Sequence, residues 1–110
     1  MNEIVTNQNK SEYEKELEYF KRKTEEMYEI FMGKRKDYGP TTTKTFEEYG
    51  IVAMLVRMED KFGRLKRLSV RETVPHYESI EDTLMDLANY CIITLLEMAK
   101  QREKERHDNR

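Results

Sequence analysis

The 110-residue chain predicts an all-α fold, a bundle of three long helices. Three observations carry this reading. Apolar residues recur at steps of three and four through three separate stretches, the spacing that lines one face of a helix. Two segments rich in Pro, Gly or Thr punctuate the stretches. The third stretch is apolar nearly all round between Leu84 and Met98, which suits the central helix of a bundle or a subunit interface.

The first helix is expected to open at Ser11. Ser11 and Glu14 form a capping box, in which hydroxyl and carboxylate satisfy free backbone donors of the first turn. Tyr13, Leu17, Phe20, Thr24, Met27 and Phe31 then make a seam, with Glu and Lys on the solvated face. Gly39 and Pro40, followed by Thr41, Thr42 and Thr43, are expected to end the helix in a turn. A second helix is expected from about Thr45, as N-cap, to about Leu68, with Glu47 and Glu48 in the first turn where the helix dipole favours negative charge. Its apolar positions are Ile51, Leu55, Met58, Phe62 and Leu65. Gly50 lowers its helical propensity by roughly 1 kcal/mol relative to Ala and marks either its true start or a close helix contact. After a linker from Ser69 to Tyr77 containing Pro75 and His76, Ser79 and Asp82 read as the cap of a third helix running to about Lys104. Ile80, Leu84, Leu87 and Cys91 form its seam. Residues 1–10 are thus expected to be a flexible N-terminus, 11–104 a single helical domain, and 105–110 a charged tail.

Composition narrows the function. With 37% hydrophobic and 38% charged residues and a formal net charge of −2, this is one small domain without the bulk basic charge that wraps nucleic acid polymers. A three-helix chain of this size buries only about 60 to 65% of its unfolded surface, so completion by homo-oligomerisation is expected. No apolar run reaches membrane-spanning length, and the N-terminus lacks the basic and apolar regions of a signal peptide, which points to the cytoplasm. A single cysteine excludes an internal disulfide, and Cys91 reads as a buried small hydrophobe. With two histidines, a Cys/His zinc site is not expected.

The chemistry concentrates on the last two helices. Asp82, Asp86 and Asn89 fall at steps of four and three on one helix face, where the two carboxylates could share a hard cation such as Mg²⁺. Arg57, Asp60, Lys61 and Arg64 form a charged stripe on the second helix, suited to phosphate oxygens. The competing assignment pairs Arg57 and Lys61 with Asp82 and Asp86 in an interhelical network that binds nothing. Lys34, Arg35 and Lys36 beside Tyr38 offer either cations and a ring to clamp phosphates and stack on a base, or a basic helix end favoured by the dipole.

Four motifs in order, Lys36-Asp-Tyr-Gly39, Glu48-Tyr-Gly-Ile51, Arg57-Met-Glu-Asp-Lys-Phe-Gly-Arg64 and Glu78-Ser-Ile-Glu-Asp-Thr-Leu-Met-Asp-Leu-Ala-Asn-Tyr90, resemble the phage and prophage nucleotide modification associated domain family. That family is similar to the MazG-like all-α nucleotide pyrophosphohydrolases, and the resemblance covers roughly Tyr28 to Met98. It implies a Mg²⁺-dependent (deoxy)nucleoside triphosphate pyrophosphohydrolase, with Asp82, Asp86 and Asp60 catalytic and Asp82, Asp86 and Glu59 holding metal. Arg57, Lys61, Arg64, Lys36, Tyr38 and Asn89 would contact substrate. The acidic motifs depart from the MazG pattern: Thr83 stands where the Glu of a Glu-x-x-Asp pair belongs, and the Glu-x-x-Glu pair is absent. A non-catalytic protein that sequesters a nucleotide, countering host antiviral nucleotide signalling from the host cytoplasm, is the alternative. A helical adaptor whose charged stripes contact protein is a third reading.

Overall fold

The computed structural model describes residues 9–70 and 77–108. Its element order is α1 (Glu12–Tyr49), α2 (Ile51–Ser69) and α3 (Tyr77–Asp108), and no strand occurs among the described residues. The all-α expectation holds. Two compact units divide the chain between Lys34 and Arg35, a boundary that falls inside α1. Pro75, His76, most of the N-terminal segment 1–10 and the last two residues of the expected tail lie outside the described residues. No helix among the described residues is long and apolar enough to cross a membrane.

The first unit is the N-terminal part of α1. It opens as expected: the Glu14 amide donates to Ser11 Oγ at 3.1 Å, and the Ser11 hydroxyl meets Glu14 Oε1 at 3.2 Å. Lys10 pairs with Glu18, and Lys23 with Glu26 at 3.3 Å. The seam is present on the helix, with Tyr13, Leu17 and Phe20 exposed and Thr24, Met27 and Phe31 half-buried.

The expected break at Gly39-Pro40 does not occur, because α1 continues to Tyr49. Pro40 removes one backbone donor, a loss easily borne at an exposed position where water reaches the freed carbonyl. The threonines do not open the backbone either. Thr45, expected as an N-cap, lies inside α1 and donates its hydroxyl to the Thr41 carbonyl at 3.0 Å, and Thr43 turns toward α3. Tertiary bonds override the weak local propensity here.

The break comes instead at Gly50. Its φ of 72° and ψ of −160° lie in a region open essentially to glycine alone. The Gly50 amide closes α1 by donating to the Phe46 carbonyl at 2.7 Å, and the Gly50 carbonyl opens α2 by accepting from the Ala53 amide at 3.2 Å. Gly50 therefore marks the true start of the second helix.

In the second unit α2 and α3 run antiparallel, as the order of their cross-links shows: Met58 meets Cys91, Lys61 meets Asp86, and Arg64 meets Thr83. The face of α2 turned inward is rotated from the expected one. Met54 is fully buried, and Met58, Lys61, Leu65 and Leu68 are half-buried along the same stripe, whereas Ile51, Leu55 and Phe62 are exposed. On α3 the buried residues are Thr83, Asn89, Ile93, Thr94 and Glu97, while Leu84 of the expected seam is half exposed and Cys91 is exposed. Ser79 is not a cap, since α3 begins two residues earlier, and its carbonyl accepts the Thr83 hydroxyl at 2.7 Å. The helix also runs past Lys104 to Asp108, carried by Glu103 pairs to Arg106 and His107 and by the Lys104–Glu47 bridge.

Replacing Gly50 by Ala is expected to cost about 1 to 3 kcal/mol in urea unfolding, the strain of that backbone region. A Cβ there would meet nothing within 4 Å, so Gly50→Ser should lose the same amount, and unequal losses would mean that packing rather than backbone sets the cost.

Candidate functional site

Two polar clusters join the helices of the second unit. The first lies between α2 and α3 and contains residues the sequence singled out. Lys61 Nζ stands 3.2 Å from Asp86 Oδ2, with both side chains roughly 30% exposed (30% and 28%). One turn along, Arg64 Nε donates to Thr83 Oγ1 at 3.3 Å, while the Thr83 hydroxyl is committed to the Ser79 carbonyl. Helical spacing explains the meeting: Lys61 and Arg64 are three apart on α2, and Thr83 and Asp86 three apart on α3. Arg57, on the same stripe, is half-buried. Asn89 follows Asp86 by three residues and is 2% exposed, and its Nδ2 has no hydrogen-bond partner. A buried amide donor left unpaired costs about 1 to 3 kcal/mol.

Other expected site residues are not drawn in. Glu59, Asp60 and Asp82 are exposed, and Lys36 and Tyr38 are exposed on a helix rather than carried on a loop. Among the described residues no group of three or more His, Cys, Asp or Glu side chains is placed to hold a metal ion. Mg²⁺ requires an octahedral set of oxygens. As placed, Glu59, Asp82 and Asp86 do not fit it, the last having a lysine on its carboxylate.

The second cluster joins α1 to α3 and was missed by sequence reasoning. Glu97 is 1% exposed. Arg35 Nη1 donates to its Oε2 at 3.0 Å, and the Thr43 hydroxyl lies 2.8 Å from Oε2 and 3.1 Å from Oε1. Lys100 Nζ donates to Thr43 Oγ1 at 2.8 Å and stands 3.6 Å from Glu97 Oε1. Gly39 leaves room beside it, because a Cβ at that position would lie 3.3 Å from Arg35 Nε and the guanidinium would have to give by a few tenths of an ångström. Beside the cluster opens a surface cleft of about 330 Å³, lined by Arg35, Pro40, Lys44 and Lys100 among others. The signal was available only in part: Arg35 stood out within a basic run, but Glu97 sits in an apolar stretch as a single acid.

Apart from Lys100, both clusters fall within one recognisable segment. Residues 34–98 match the family model described as Nucleotide modification associated domain 1. The chain belongs to that family. Its family segment starts at the unit boundary and includes Arg35, Thr43, Lys61, Thr83, Asp86, Asn89 and Glu97. No curated protein and no solved structure matches the chain.

Removing one partner of a buried pair strands the other's charge, so Glu97→Ala is expected to destabilise the protein by about 3 kcal/mol. The neutral isostere Glu97→Gln, which keeps one acceptor, should lose less. Urea midpoints of the two variants check the order, and equal values would assign the cost to lost packing.

Proposed function

We propose that this family member binds a nucleotide at the α2–α3 cluster, holding its phosphates with Arg57, Lys61 and Arg64. The observation that carries the reading is the partly exposed Lys61–Asp86 pair, inside the family segment, with the unpaired Asn89 amide one turn away. Cations along one helix face suit phosphate oxygens, and Lys61 can exchange a carboxylate for a phosphate without crossing a dry barrier. Asn89 would give its free donor to a ligand acceptor.

Binding without turnover is the form the geometry supports best. The Thr83 hydroxyl, in place of an acid, is already spent on the Ser79 carbonyl and Arg64. Such a protein would sequester a nucleotide, and in a phage it could counter host antiviral nucleotide signalling. A MazG-like (deoxy)nucleoside triphosphate pyrophosphohydrolase is the second reading. The Asp82 and Asp86 spacing favours it, and it requires these carboxylates, with Asp60 or Glu59, to accept Mg²⁺ in place of Lys61. Either form would work as a homo-oligomer in the cytoplasm. Ile51, Val52, Leu55 and Phe62 on α2, with Leu84 and Leu95 on α3, are 44 to 63% exposed and would be covered by a second copy.

A panel of linear and cyclic nucleotides, incubated with and without Mg²⁺, tests this when both solution and heat-released fraction are separated by chromatography. Sequestration predicts recovery of one nucleotide intact, affinity lowered about tenfold or more in Lys61→Met, and affinity kept or raised in Asp86→Asn. Hydrolysis predicts a monophosphate that disappears in Asp86→Asn. An empty result across the panel would overturn both readings and leave a protein-binding adaptor.

A further inference from the structure

The N-terminal part of α1 lies outside the family segment and bears a seam whose first three residues are exposed. Tyr13, Leu17 and Phe20 are 69%, 52% and 70% exposed, and the stripe continues through Thr24, Met27 and Phe31, all half-buried. Steps of four and three through six positions give the narrow stripe along which two helices pack side by side. We infer that this arm pairs with the same arm of a second copy of the chain, parallel and in register.

Charge placement selects that occupant and orientation. Residues flanking such a seam meet across it in a way that depends on direction. In a parallel, in-register pair Glu16 of each copy faces Lys21 of the other, giving two opposite-charge contacts. An antiparallel pair centred on the same seam sets Lys21 against Lys21 and Lys23 against Lys23, two like-charge contacts. Polarity in the seam points the same way. Thr24 faces Thr24 only in the parallel arrangement, and its hydroxyl is already satisfied by the Phe20 and Lys21 carbonyls, at 3.0 and 2.9 Å. Burying it leaves no unpaired donor. In the antiparallel arrangement Thr24 would instead face Phe20.

This pairing does not rest on nucleotide binding and stands or falls separately. The test uses the full chain with Cys91→Ser, which removes its only cysteine, and adds Phe20→Cys or Thr24→Cys. Mild oxidation at micromolar protein should cross-link each variant to itself. Lys21→Glu should slow the cross-link about tenfold, as two attractive contacts become repulsive, and adding Glu16→Lys should restore it. Cross-linking only in a mixture of the two cysteine variants would reveal an antiparallel pair and overturn the inference. Absence of any cross-link, or a Lys21→Glu effect that Glu16→Lys does not rescue, would overturn it equally. Both cysteines replace side chains on the surface of a single helix, and circular dichroism confirms that the variants remain folded.

Discussion

The second unit depends on one buried carboxylate. Glu97 is taken out of water on α3 and would be costly there alone. It is held by Arg35 and Thr43 from α1 and approached by Lys100 from its own helix, so the charge that demands partners also fixes where α1 must lie. Only Phe46, Met54 and Ile93 are buried hydrophobics among the described residues, too few to align three helices by area alone. Directional bonds supply the register that apolar contact leaves open. The continuity of α1 through Pro40 follows, because Arg35 and Thr43 must lie on the same helix face, eight residues apart, to reach one side chain.

The helical class and the three-element order were legible in periodicity, and the capping box at Ser11 placed the first helix start correctly. The faces were not legible. Counting apolar residues put Ile51, Leu55 and Phe62 inward with Met58 and Leu65; only the last two are half-buried, beside Lys61, because partners across α2 and α3 include Asp86 and Thr83. A sequence pattern cannot tell a seam filled within a subunit from one that stays exposed. Cys91 shows the same ambiguity: its apolar neighbours suggested burial, but it is exposed, with its thiol 3.8 Å from Met58 Sδ. Pro40 misled for another reason. Helix-breaking is a local preference of a few kcal/mol, and the bonds of three side chains to Glu97 outweigh it.

The candidate site was legible to a different degree. Helical spacing put Lys61 and Asp86 on faces that meet, as the interhelical network had them, but Asp82, expected beside Asp86, is exposed, and Arg64 meets Thr83 instead. Which cation would meet which acid needed the structure. The second cluster stayed hidden because its members are separated by more than fifty residues, Arg35 and Thr43 from Glu97, and no local pattern links them. Gly39 illustrates the point: it reads as a turn signal, yet it lies buried inside the helix with the Arg35 side chain beside it.

The polar character of this interior also shapes its response to heat. The rise in heat capacity on unfolding comes mostly from apolar surface newly exposed to water, and polar surface subtracts from it. With Thr83, Asn89, Thr94 and Glu97 buried beside only three fully buried hydrophobics among the described residues, the second unit gains little of that increment. Its free energy of unfolding therefore curves weakly with temperature. The cost of stripping water from the Arg35 and Glu97 charges falls as temperature rises. The junction between α1 and α3 is accordingly a fastening that warming weakens less than it would an oily one.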